Sequence, residues 1–530
     1  MKPIYRIFGT LALGTVLAAG CSDKFLQKDS LVAISSGTFW QTEEDAASAL
    51  TACYDGLQSN WIYNGGPWQC GPLNLDCMTD NGGHFNWSGW MAGYDICNGI
   101  HSSTSWMIGD YWKARYEVIK RCNKLISNVD RCDMAEALKA QYKAEATVIR
   151  ALMYNELTST YNDVPYLKTE QSITDANCPK TARAEIVADL ITDVKAAAEA
   201  LPVDAELGHV TKGAALAILG RIALYNEKWD EAISAYEQVI ALGKYRLFDD
   251  YSTLFSAANE GCDEIVFSVR FEGPGKEEGS SIGAHWDTPL EAMNGTIDLA
   301  DEYYVKSTGL RYADSEIYTD PANKDLWAVR TDRYEDRDPR LRATLFVPGM
   351  AWGSADWLYG GAAASFSTIY VQKYFTSDEN SSTSWDSDKD FYVVRYAEVL
   401  LGLAEAYIEK GTKLTGTDGA TGLIDQVRAR VGMPSVESVE GAASQADLRE
   451  VVRHERRVET AFEGLRIYDV YRWKILEDAV NRINAEKERY GFNYETRNYR
   501  GPQEYVWPIP QTEIDSNKEL KQNKLWGGEE

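Results

Sequence analysis

TKGAALAILGRIALYNEKWDEAISAYEQVIALG, residues 211 to 243, is the stretch on which the fold turns. Apolar residues recur at helical spacing on both sides of Asn226-Glu227-Lys228, which predicts two helices joined by a tight turn. Gly220, Ala232 and Tyr236 fall where such a pair closes: a small residue lets one helix approach the other, and a tyrosine ring fills the groove between them. These are the offsets of a tetratricopeptide unit. Weaker echoes stand at Ala144 to Tyr161 and Arg395 to Gly411, so the reading is one good unit with degenerate neighbours.

Outward from there, helical periodicity covers Ala46 to Leu57 behind a Thr42-Glu43-Glu44-Asp45 cap, then Tyr111 to Asn128, Met134 to Tyr161 and Ala182 to Leu201. It returns at Tyr396 to Lys410, Gly422 to Val431, Gln445 to Phe462 and Leu465 to Ile483, with a short strand at Glu264 to Phe271. Two long stretches, 59 to 108 and 272 to 392, have no sustained period and are rich in Gly, Asn, Asp, Ser and Trp. The expected fold is therefore all-α: a tetratricopeptide-like helical scaffold with two long irregular insertions and a few short strands. Loops of that length on a rigid scaffold more often carry function than merely connect elements.

The first 20 residues carry Lys2 and Arg6, an apolar run from Ile7 to Ala19, and then Leu17-Ala18-Ala19-Gly20-Cys21. This reads as an export signal with a lipobox, making Cys21 the lipidated N-terminus and attaching the body to a membrane through the lipid anchor only. The regions expected are a signal peptide at 1–20, an N-terminal helical part at 21–270 and a C-terminal part at 271–530, the last two forming one compact body. With 54 Lys and Arg against 80 Asp and Glu, the net charge of −26 argues against a nucleic-acid binder. The other eight cysteines form no CxxC; Cys122 and Cys132 are a candidate local pair, and free buried thiols are an equal alternative.

Catalytic signatures are missing. The five histidines, His84, His101, His209, His285 and His454, show no HExxH and no metal-ligand spacing. Asp386, Asp388 and Asp390 start like a calcium loop, but Phe391 and Ala397 stand where that loop needs Gly and Glu. No cofactor and no metal site is expected, an isolated structural calcium being left open. A glycoside hydrolase needs only aromatic platforms and two carboxylates, so it is the catalytic rival.

Several stretches together resemble the SusD/RagB family of surface nutrient-binding lipoproteins. They are the lipobox, EATVIRALMYNELTSTYNDVPYL from Glu145, the unit at 211–243, RYAEVLLGLAEAYIEKG from Arg395, RHERRVETAFEGLRIYDVYRWK from Arg453 and YVWPIPQTEIDSNKELKQNKLW from Tyr505. The resemblance implies a non-catalytic, surface-exposed outer-membrane lipoprotein that binds oligosaccharide or polysaccharide, with a SusC-like TonB-dependent transporter as partner. Peptide capture on the same architecture and a protein-binding scaffold are the alternatives. The charged motif also has a plain physical reading: Glu450 with Arg453, and Arg456 with Glu459, lie at i+3, and Glu455, Glu459 and Glu463 form an i+4 column, the pattern of a structural ion-pair network. Trp507-Pro508-Ile509-Pro510 suits an extended segment pinned across helices.

Eleven of the 16 tryptophans fall at 61–112 and 286–385, in or beside the insertions. A flat indole meets the C–H face of a pyranose while amides and carboxylates bond its hydroxyls. Each platform contributes about 2.5 kcal/mol at ~25 cal/mol per Å2, so two give roughly millimolar affinity before ordering costs. Because the family's ligand face is built from loops of these two regions, the expected ligand-binding residues are Trp68, Trp87, Trp286, Trp352 and Trp357, with Asp80 and Asn81 as hydrogen-bonding partners. Trp106 and Trp112 are expected in the core, and Trp61, Trp90 and Trp385 are left open.

Overall fold

The structure is a computed structural model that describes residues 39–528 except 67–68, 85–90, 173–176, 286–292, 315–330, 354, 357–366, 368, 381, 442 and 491–495. The lipobox and Cys21 lie outside the described residues.

Eleven longer helices carry the body: α1 (Glu43–Asp55), α2 (Trp106–Asn128), α3 (Glu136–Tyr161), α4 (Arg183–Ala200), α5 (Lys212–Tyr225), α6 (Trp229–Ala241), α7 (Tyr396–Lys410), α8 (Ala420–Arg430), α9 (Gln445–Thr460), α10 (Arg466–Arg472) and α11 (Leu476–Tyr490). From α2 to α8 each packs against the next, and α7 also receives α9. Side chains close the orphan N–H groups at several starts: Thr42 and Asp45 form a capping box on α1, Ser444 and Asp447 another on α9, and Thr211 accepts from the Ala214 N–H on α5.

The 211–243 hairpin has the predicted construction. Tyr236, on α6, is 1% exposed and lies against two glycines. A Cβ on Gly220 of α5 would come within 2.4 Å of its ring, and one on Gly402 of α7 within 2.8 Å. One ring thus sets the spacing of three helices.

Eight short strands complete the fold: β1 (Gly82–His84), β2 (Ile265–Val269), β3 (Met293–Gly295), β4 (Leu345–Phe346), β5 (Ala351–Trp352), β6 (Ala355–Asp356), β7 (Tyr370–Val371) and β8 (Phe391–Arg395). β2, the strand expected from sequence, pairs with β8. The order β1-β3-β7-β4 joins the first insertion to the second, with Gly82 opposite Gly295 and Asn294 opposite Tyr370. The tail is pinned as expected: Trp507 is buried among Tyr111 and Tyr161 and donates its Nε1–H to the Tyr471 hydroxyl at 2.9 Å. All eight described cysteines are free, Cys122 and Cys132 included. No described helix is long and apolar enough to cross a membrane, and the described residues hold no His, Cys, Asp or Glu cluster fit for a metal ion.

The acidic column of α9 is the ionic centre of the body. Glu459 faces Arg395, Arg430 and Arg340 at 2.8, 2.5 and 2.9 Å; Glu455 faces Arg340 and Arg428 at 2.6 and 2.8 Å; Glu463, just past the helix, takes Arg395 and Lys373 at 2.7 and 2.8 Å. One expected pair differs: Arg456 turns from Glu459 to Asp469, at 2.6 Å, because Glu459 is already surrounded by three guanidinium groups. Burial pushes these carboxyls up, yet the cations win and hold Glu455 down at about 2 and Glu459 well below the usual range.

Two outcomes follow. Gly220→Ala lowers stability by about 1–3 kcal/mol in urea unfolding, although Ala is the better helix former, because the new methyl overpacks Tyr236. Glu459→Gln costs about 3–5 kcal/mol by leaving three buried cations short of a partner. Carboxyls with depressed folded pKa values contribute stability above their unfolded value near 4.5 and lose it as pH falls toward 2. The melting temperature of Glu459→Gln therefore falls less steeply than that of the parent protein between those pH values.

Candidate ligand-binding cleft

The described surface has a cleft of about 530 Å3 between the end of α1, the 59–64 loop, one face of α2 and residues 271–279. It therefore lies where the two insertions meet on the scaffold. Its aromatic wall is Trp61, half-buried and edge-on to Trp106 with ring centroids 5.5 Å apart. The loop carrying Trp61 is set from beneath: the Ile62 N–H bonds the Ser59 carbonyl at 2.8 Å, and the Trp61 carbonyl accepts from buried Arg115. Arg115 is itself fixed by Glu156 at 2.9 Å and lies over the Tyr111 ring. The indole is thus held before any ligand arrives.

Asn64, at the same loop, is spent on joining the insertions. Its Oδ1 accepts from the Ser281 N–H at 2.7 Å and the Ser281 hydroxyl at 2.9 Å, and its Nδ2 donates to the Gly279 carbonyl at 3.3 Å. Polar capacity is left elsewhere. The side chains of Asp110 and Lys113, three residues apart on α2, make no hydrogen bond to a described protein group, and burial raises the Asp110 pKa against the opposing pull of Lys113. The cleft is also acidic: Asp55, Asp110, Glu117, Glu277 and Glu278 stand against Lys113 and Arg121, and Arg121 is already paired with Asp55.

From the cleft a seam runs between the insertions. A Cβ on Gly66 would sit 3.2 Å from both the Ser281 carbonyl and the half-buried Trp385 ring, and 3.3 Å from Ala284. Next along the chain, His285 meets Trp352 edge-on at 5.4 Å, and Phe346 covers Trp352 from another side at 6.1 Å. Trp352 is half-buried on β5, farther along this seam and not a lining residue of the cleft.

Trp68, Trp87, Trp286 and Trp357 lie outside the described residues. Asp80 and Asn81 require correction: both are fully buried and committed to protein. Asp80 receives Arg466 at 2.8 Å, Arg482 at 2.5 Å and Arg457 at 3.5 Å. Asn81 accepts from Arg457 at 2.9 Å and donates to Asp76 at 3.0 Å. TDNGG is polar because it docks the first insertion onto α9, α10 and α11, and no oxygen there is open to a ligand. Trp106 is likewise not core, being 41% exposed, whereas Trp112 is buried as expected. Asp110 and Lys113 were legible as neighbours on one helix face, but nothing in the sequence marked that face as uncovered. Asp80→Asn is expected to cost about 3–5 kcal/mol of stability, while leaving ligand retention unchanged at temperatures below its melting point.

Residues 270–526 match the family model described as SusD family, and residues 24–224 match one described as starch-binding associating with outer membrane. A SusD-like protein of Formosa agariphila is 26% identical over 526 residues, covering 94% of each chain. The crystal structure of a SusD-like carbohydrate binding protein from Bacteroides fragilis superposes with a TM-score of 0.77 at 27% identity, covering 91% of this chain and 100% of that one. A SusD superfamily protein from Bacteroides vulgatus gives 0.75 at 25% identity, over 92% and 100% of the two chains. The helical body, the paired insertions and both matched halves agree, and the chain belongs to the SusD/RagB family.

Proposed function

We propose that this protein is a lipid-anchored glycan-binding protein of the outer membrane, which captures oligosaccharide at the Trp61 cleft without cleaving it and passes it to a SusC-like TonB-dependent transporter. The observation that carries the reading is Trp61: a half-exposed indole, clamped from below by Arg115, beside the unspent Asp110 and Lys113. That is the combination a pyranose needs, one apolar platform and a few directed polar groups. The carbohydrate binding named for the Bacteroides fragilis relative supports it, as does the outer-membrane association in the name of the matched family model. Attachment through Cys21 and exposure at the cell surface belong to the same proposal, as does the extension of the binding face through Trp352 to Trp68, Trp87, Trp286 and Trp357. No cofactor enters it.

The acidic surplus of the cleft sets the sugar chemistry. A glycan bearing carboxylates or sulfates meets like charge in a partly desolvated site, whereas a neutral or amino sugar does not. Native affinity gels containing neutral or anionic polysaccharides test both points. A neutral polysaccharide is expected to retard migration, with Trp61→Ala weakening retention at least about tenfold, the loss of roughly half of a ~2.5 kcal/mol platform. Released reducing ends would overturn capture without cleavage, and unaltered retention of Trp61→Ala would move the site elsewhere.

A further inference from the structure

A second cleft, of about 350 Å3, opens where the turn between α5 and α6 meets the end of α10 and one face of α7. It shares no lining residue with the Trp61 cleft. Its walls hold the half-buried Trp229 and Trp473 and four cations, Arg183, Arg453, Arg472 and Lys474.

Around α9 the buried guanidinium groups are matched by carboxylates; Arg395 alone meets Glu264, Glu459 and Glu463. In the second cleft the matching is incomplete. Arg472 is satisfied by Asp469 and Glu405, and Glu409 is taken by Arg449. The Arg183 guanidinium, however, donates only to the Asn226 Oδ1 at 2.8 Å and the Tyr225 carbonyl at 3.4 Å, with no described carboxylate at ion-pair distance; the Asp163 carboxylate accepts from the Arg183 backbone N–H at 2.9 Å. Lys474, exposed and held in the left-handed region at φ 59°, lays its ammonium over the Tyr505 ring at 4.6 Å, and that ammonium makes no hydrogen bond or ion pair with a described residue. The Arg453 guanidinium lies over the Trp473 ring at 5.0 Å and has a single long polar contact of 3.4 Å, to Glu450, while its buried Nε finds no acceptor. Glu227 is the one lining carboxylate without a partner among the described residues, and it is exposed. Burial lowers the pKa of both Arg183 and Lys474, and the Arg183 charge adds to the effect on Lys474, against the weaker opposing pull of Glu227 on both and of Asp163 on Arg183.

A chain of net charge −26 has acids to spare, yet this hollow keeps cations without them. Two neighbouring cations that lack a carboxylate partner, Arg183 half-buried and Lys474 at the rim, beside a half-buried aromatic wall are a receptor for the opposite charge on a small, partly apolar molecule. We infer that this cleft binds a carboxylate-bearing small ligand, a sugar acid or an amino acid, with its carboxylate between Arg183 and Lys474 and its carbon skeleton against Trp229. The inference stands apart from the glycan reading, because the Trp61 cleft has the opposite charge balance.

The test is calorimetric titration of the full chain in detergent at low salt with glucuronate, its methyl ester, N-acetylalanine and the ester of that. At least one acid is expected to bind at least about tenfold more tightly than its own ester. Its affinity is expected to fall with added salt, to drop about tenfold or more in Lys474→Met and in Trp229→Ala, and to be unchanged in Trp61→Ala. Which acid binds identifies the source of the carboxylate. Equal binding of acid and ester, no saturation of either acid on the order of 10 mM, or a Lys474→Met protein of unchanged affinity would each overturn the proposal. If Lys474→Met does not fold, judged by its melting curve, the acid against ester comparison on the parent protein decides alone.

Discussion

The constraint on which the structure depends is the neutralisation of buried cations by the carboxylates of α9 and the turn after it. Glu455, Glu459 and Glu463 reach cations on three other segments: Arg340 and Lys373 from the second insertion, Arg395 at the junction of β8 with α7, and Arg428 and Arg430 at the end of α8. An ion taken from water is costly unless its partners are fully placed, so each of these segments has one acceptable position. Asp80 repeats the device for the first insertion, through Arg457, Arg466 and Arg482. Both irregular insertions are therefore fastened to the helices by charge, not only by apolar packing.

That fastening is what allows a binding face made of loops. Irregular segments of such length would ordinarily spend ligand affinity on their own ordering. Here the loop bearing Trp61 is closed from below by Arg115, tied sideways by Asn64 to Ser281, and continued by the His285 and Trp352 contact. The groups that make these ties are saturated and buried. Trp61, Asp110 and Lys113 face the cleft without being used in these ties.

Much of the fold was legible because its signals are local. The cap at Thr42 begins its helix where expected, and Gly220 with Tyr236 gives the close helix pair, since small and ring-bearing residues at those offsets have few other uses. The acidic column of α9 was legible as structural for the same reason, whereas the turn of Arg456 toward Asp469 was not, because it depends on what surrounds Glu459 in three dimensions. The site was read less well. Asp80 and Asn81 have the residue types of a sugar contact, and only the three arginines arriving from α9, α10 and α11 show that their polarity is internal. Trp106 opens α2 and Trp112 follows within it on another face of the helix, so the first stays exposed beside Trp61 while the second packs inward against Tyr116 and Tyr161. Composition located the aromatic insertions; it did not show which rings stay uncovered.

The central claim is that a sugar ring rests on Trp61. A crystal structure of the protein with a neutral oligosaccharide it retains tests this most directly. The account predicts a pyranose face in van der Waals contact with the Trp61 indole, with ring hydroxyls bonded to Asp110 or Lys113 and no bond of the glycan broken. Glycan seated elsewhere, with the Trp61 cleft holding only solvent, would contradict it.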